Sequence, residues 1–112
     1  MEELLAWTTE AIDNKELVVF CFSRKQCGPC IFMSPIVESL AIEMKGHVRF
    51  FKVFADNEKM APLFQALEVT CFPWFVVRNE TGNIGNIVGT GTKEAFHAEL
   101  MRISGQSDLV EN

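Results

Sequence analysis

The sequence predicts an α/β fold, a mixed β-sheet with helices on both faces and three layers in all. Three observations carry that expectation. The run Leu17-Val18-Val19-Phe20-Cys21-Phe22 is almost unbroken in its apolarity, which suits a central strand covered on both faces. A helical stripe separates it from a second β-branched and aromatic run, His47 to Phe54, so the two form a βαβ unit with parallel strands and a right-handed crossover. Two shorter strand runs then meet around a turn, with a helix behind them. The predicted order is α-β-α-β-α-β-β-α.

Each element has its own signal. Leu4, Leu5, Thr8, Ala11 and Ile12 fall near helical spacing behind Glu2 and Glu3, which suit a helix N-terminus; the helix should end around Asn14. Trp7 belongs to it as a packing residue rather than a recognition residue. After the first strand, Ile31, Met33, Ile36, Val37, Leu40, Ala41 and Met44 keep one apolar face as far as Lys45, and Gly46 closes the helix. Pro35 interrupts that helix, removing one backbone hydrogen bond and bending it. Asp56 or Asn57 caps a short helix carrying Met60, Leu63, Phe64 and Leu67. Phe72 to Val77 reads as a strand opening with proline, residues 79–83 as a turn, and Ile84 to Val88 as the antiparallel partner. Thr92 caps a last helix from Lys93 to Ile103, and the polar tail from Ser104 to Asn112 should fray.

Size and charge narrow the function classes. A chain of 112 residues makes one domain, 1–112, with a single core. Its net charge of −5 argues against nucleic-acid binding, which needs a basic stripe. No apolar run approaches the roughly 18 residues of a membrane span. The acidic start, Met1-Glu2-Glu3, lacks the pattern of a signal or transit peptide. Four cysteines without such an address point to a reducing, cytoplasmic setting.

The chemistry concentrates at Gln26-Cys27-Gly28-Pro29-Cys30, where the first strand hands over to a helix. Two thiols three residues apart on a first helical turn share a face, with Cβ atoms about 5–6 Å apart. A disulfide wants roughly 3.5–4.5 Å, so a small adjustment opens or closes the bond. Cys27 falls at the helix N-cap, where unpaired N–H groups and the helix dipole stabilise a thiolate. Arg24 and Lys25 add positive charge upstream. Cys27 is thus the expected nucleophile and the deeper Cys30 the resolving thiol. Pro29 costs little in a first turn. A zinc site is the competing reading, but it needs four converging ligands. Cys21 and Cys71 are isolated, and His47 and His97 lie far apart in sequence, with His47 expected at the surface. No metal is expected.

With these residues in hand the chain resembles the thioredoxin family over roughly residues 2–103. The Cys27-Gly28-Pro29-Cys30 tetrapeptide is similar to the family's redox motif. Pro35 resembles the proline of its active-site helix, Phe72-Pro73 its cis-proline pair, and Gly89 the glycine beside its substrate groove. Cys71, two residues before that proline, resembles the eukaryotic type. The resemblance implies a thioredoxin fold and a dithiol–disulfide exchange cycle that reduces protein disulfides. No cofactor would be bound. Electrons would come from NADPH through a thioredoxin reductase, and clients would be of the peroxiredoxin, ribonucleotide reductase and methionine sulfoxide reductase types. Gln26, Gly28, Pro29, Phe72, Pro73 and Gly89 would line the client groove. The protein would be a monomer, or a dimer through Cys71 acting as a regulatory thiol; a plain loop residue is the other reading of Cys71.

Three departures from the family pattern stand out. Gln26 occupies the position of a tryptophan, Cys21 that of a buried aspartate thought to handle the proton of Cys30, and Lys52 keeps its place without that partner. Cys21 and Lys52 are therefore the tuning residues, although Cys21 also reads as plain core filler. The chain begins about where the family's first helix begins, which predicts a sheet of four strands, with the family's five as the alternative. Protein-disulfide reduction is the leading reading. The alternative is a thioredoxin-fold binding or scaffold module with weak turnover, and an oxidase or isomerase is third because Gly-Pro between the cysteines resembles reducing members.

Overall fold

The computed structural model describes residues 2–24, 26–67, 72–88 and 91–105, with the side chains of residues 2–5 and 7 outside the description. Helix α1 (Glu2–Asp13) leads to β1 (Leu17–Ser23), α2 (Gly28–Glu43) and β2 (Val48–Phe54). A 3-10 turn, Glu58–Met60, runs into the short α3 (Ala61–Ala66), followed by β3 (Trp74–Asn79), β4 (Gly82–Ile87) and α4 (Lys93–Ile103). The packing role assigned to Trp7 concerns a side chain outside the described set.

The four strands lie in the order β2-β1-β3-β4. β1 runs parallel to β2 and antiparallel to β3, and β3 and β4 form an antiparallel hairpin. β1 is thus an inner strand, and the five residues from Val18 to Phe22 are all buried. Alternation along it divides the interior. Val19 and Cys21 face the cluster filled by α2 and α4, including Met33, Val37, Leu40, Phe96 and Leu100. Val18, Phe20 and Phe22 face α1 and α3, where Ala11, Leu63, Phe64 and Leu67 pack. Each cluster has an edge-to-face aromatic contact with ring centroids 4.8 Å apart, Phe75–Phe96 on one side and Phe22–Phe64 on the other. Such pairs add about 0.5–1.5 kcal/mol beyond the area they bury.

The caps explain where helices start. Thr92 Oγ1 accepts the N–H of Ala95 at 3.1 Å, setting the start of α4 at Lys93 as predicted. Asn57, rather than Asp56, caps the 3-10 turn by accepting the N–H of Lys59 at 3.0 Å. Helix α2 continues through Pro35 and stops at Glu43, two residues before the expected end; Gly46 takes φ +90° in the turn that follows. His47 belongs to that turn and is exposed, as a surface histidine should be. Its carbonyl still accepts the N–H of Leu17 at 2.9 Å, tying the turn to β1.

Two further boundaries and one facing differ from expectation. β3 begins at Trp74, opposite Phe22, so Phe72 and Pro73 lie before the strand instead of opening it. Pro73 has no N–H to give the ladder. β4 begins at Gly82 because the turn is tighter than predicted, with pairing from Asn79↔Gly82. Ile31, placed on the apolar face of α2, is 64% exposed and turns away from the core.

Candidate active site

The first strand ends at Ser23, and the chain turns through Gln26 before α2 starts at Gly28. Cys27 is the N-cap, with extended backbone at φ −139° and ψ 109°. Its Sγ accepts the N–H of Cys30 at 3.2 Å, one of the four donors that a helix leaves unpaired at its start. Cys27 and Cys30 are joined by a disulfide with Cα atoms 5.2 Å apart. Cys27 is half-buried, whereas Cys30 is 8% exposed, so the pair has an accessible member and a shielded one. Gly28, Pro29 and Gln26 are exposed around them.

The chain returns to this spot at Phe72-Pro73, whose peptide bond is cis. Pro73 is buried and lines, together with Cys30, a cleft of about 170 Å³. The lining of the cleft is mostly apolar and includes Ile31 and Phe54, both exposed. Arg24 also borders it, its guanidinium carbon 4.6 Å from the centre of the Phe72 ring.

Cys21 and Lys52 lie in the wall of the same cleft, in register across β1 and β2. Burial pushes the Cys21 thiol up to about 12, and the Lys52 charge only partly offsets this. Its sulfur has one long contact, donating to the carbonyl of Val19 at 3.9 Å. Cys21 is therefore a neutral thiol at physiological pH, unable to take a proton as a carboxylate would. Lys52 has found other partners on α2: Nζ donates to Ser34 Oγ at 2.9 Å and to Glu38 Oε1 at 3.2 Å. No group of three or more metal-binding side chains gathers among the described residues.

The structure thus brings Cys30, Pro73, Cys21 and Lys52 to one cleft beside Cys27. Lys25, Cys71 and Gly89 lie outside the described residues. Sequence reasoning missed the placement of Arg24 over Phe72 and the Ser34 and Glu38 partners of Lys52. Ser34 and Glu38 are one turn apart on α2, a spacing that could have flagged a shared partner.

The family model for thioredoxin matches residues 4–102. The chain belongs to the thioredoxin family. A thioredoxin H-type protein of Fagopyrum esculentum is 35% identical over 88 residues, covering 79% of this chain and 73% of that one. Among solved structures, a redox protein from Chlamydomonas reinhardtii superposes with a TM-score of 0.81 at 27% identity over 90% of this chain. The chain spans 32% of that protein's length. A third relative, 26% identical with a TM-score of 0.70, comes from a structure of the thiol-resolving mechanism of yeast mitochondrial 1-Cys peroxiredoxin via glutathione/thioredoxin systems; the match covers 87% of this chain and 88% of that one. With a cysteine pair at disulfide distance on a thioredoxin fold, the protein is a thiol–disulfide oxidoreductase that reduces protein disulfides, and its clients are disulfide-bearing proteins.

Proposed function

We infer that Cys27 is the attacking sulfur and Cys30 the resolving one. The observation that carries this assignment is the hydrogen bond from the Cys30 N–H to Cys27 Sγ at the mouth of α2, a donor that strengthens when the sulfur is an anion. In the reduced protein the Cys27 thiolate attacks one sulfur of a client disulfide. That S–S bond breaks, a Cys27–client bond forms, and the departing client sulfur takes up a proton. Cys30 then loses its proton and attacks Cys27, releasing the second client thiol and closing the Cys27–Cys30 disulfide. Two electrons pass to the client, and the oxidised pair is the product.

By the family pattern, a client backbone would pair beside Pro73 and Gly89, in the manner of an added strand. Gln26, Gly28, Pro29 and Phe72 complete that groove. The pair would be recharged from NADPH through a thioredoxin reductase. The peroxiredoxin context of one structural relative supports clients of that type, with ribonucleotide reductase and methionine sulfoxide reductase types as further candidates. A cytoplasmic setting suits a protein that keeps Cys21 as a free thiol. Cys71 remains the proposed regulatory thiol.

The test is insulin reduction coupled to NADPH consumption by a thioredoxin reductase. Steady turnover is expected, lost in Cys27→Ser, while Cys30→Ser should accumulate a client bound through Cys27. Client binding without turnover in the unaltered protein would favour a scaffold module, a reading that the inert Cys21 keeps in play.

A further inference from the structure

The reductase reading leaves open which disulfides the cleft prefers, and Arg24 speaks to that. We propose that Arg24, which lines the cleft with its guanidinium over the Phe72 ring, selects client disulfides that carry an acidic residue beside the cysteine. The proposal rests on the reductase assignment and concerns the client class of the same site.

Four observations lead there. The charged side chains lining the cleft among the described residues are Arg24 and Lys52, both cations. Lys52 is already committed, with Glu38 at 3.2 Å and Ser34 at 2.9 Å. Arg24 is exposed, and among the described residues it meets no carboxylate. What holds it is the Phe72 ring, at 4.6 Å, and Phe72 is joined directly to Pro73 in the wall that a client would touch.

A guanidinium lying over a ring takes up none of its N–H donors in hydrogen bonds to that ring's edge, so Arg24 can still offer two of them to a carboxylate in parallel. The side chain is held in place before the client arrives, so less rotamer freedom is lost on binding. The remaining lining sets where the carboxylate would sit. Ile31 and Phe54 add exposed apolar surface to the same lining, so a client segment would set an acidic residue on Arg24 and apolar ones elsewhere along the cleft. The chain as a whole carries a net charge of −5, so its long-range field repels acidic clients. A preference for acidic clients therefore cannot come from bulk charge and has to be local.

The test uses three synthetic peptides, each closed by one internal disulfide and differing at the residue beside a cysteine: Glu, Gln or Lys. Initial rates of reduction by the pre-reduced protein are compared at about 20 mM and about 300 mM salt, where screening lengths differ severalfold. At low salt the Glu peptide should react about three to five times faster than the Lys peptide, and the ratio should shrink at high salt. Arg24→Glu should invert the order. Arg24→Lys, which keeps the charge but not the planar guanidinium, should keep only part of the preference. Reading a ratio within each variant cancels any general change in activity. An unchanged ratio in Arg24→Glu, or a Lys peptide at least as fast as the Glu peptide in the unaltered protein, overturns the proposal while leaving the reductase reading intact. Failure to reduce even the Gln peptide overturns the reductase reading itself.

Discussion

Two ionisable groups are buried along the same pair of strands, and they are treated in opposite ways. Glu16, just before β1, is 8% exposed and receives two donors from Arg49 of β2, at 2.7 and 3.4 Å. Cys21, five residues on, is 5% exposed and has only a 3.9 Å contact with a carbonyl, while its neighbour Lys52 turns outward to Ser34 and Glu38. At the Glu16 end a buried charge is kept and satisfied by a fork-to-carboxylate pair. At the Cys21 end, next to the chemistry, the buried group is kept neutral. The lesson is that the strand pair supplies stability at one end and a low-polarity wall for the reactive pair at the other.

Breaking the satisfied end should have the larger effect. Arg49→Met keeps most of the side-chain volume but leaves the Glu16 carboxylate buried and unpaired. It should cost about 2 kcal/mol, toward the low side for buried pairs because Arg49 is partly exposed. The urea midpoint should fall accordingly, with disulfide reduction at room temperature unaffected.

The neutral end can be tested through pH. The free thiol ionises near 9.0, and the folded Cys21 near 12. Between those values the unfolded chain has released a proton that the folded chain retains, so unfolding binds fewer protons and stability falls as pH rises. The stabilisation is complete below about 9 and disappears as pH climbs toward 12. In the native sequence the slope from this group should approach roughly 1 kcal/mol per pH unit. Urea midpoints taken above pH 9 should therefore decline less steeply in Cys21→Ala than in the native sequence; parallel declines would refute a buried neutral thiol.

The smallest expected change is a gain. Cys21→Asp would return a proton acceptor to the wall shared with Cys30 and place it beside Lys52. Resolution of the mixed disulfide should speed up about three- to tenfold, a fraction of what a well-placed general base contributes. Stopped-flow measurement of client release is the check, and an unchanged or slower rate would mean that Cys30 loses its proton without help from this position.

Much of this was readable from local pattern. The apolar run 17–22, the cap at Thr92 and the Cys27–Cys30 turn each declare themselves within a few residues, because periodicity and capping are short-range physics. The cis Phe72-Pro73 bond follows only from the family resemblance, and the start of β3 differs from expectation because the strand begins where Phe22 offers Trp74 a partner. The exposure of Ile31 was likewise set by what the core leaves room for. Arg24 on Phe72 and Lys52 on Ser34 and Glu38 join residues well separated in sequence; the one-turn spacing of Ser34 and Glu38 hints at a shared partner, but no window of the chain names Lys52 as that partner.

Everything functional rests on the sulfur that caps α2. Alkylation of the reduced protein with iodoacetamide across pH 5 to about 10, followed residue by residue by mass spectrometry, measures its ionisation directly. Cys27 should reach half its maximal rate well below the ordinary thiol value of 9.0, while Cys21 stays unreactive over the range. A Cys27 curve that overlies that of a free model thiol would contradict the account.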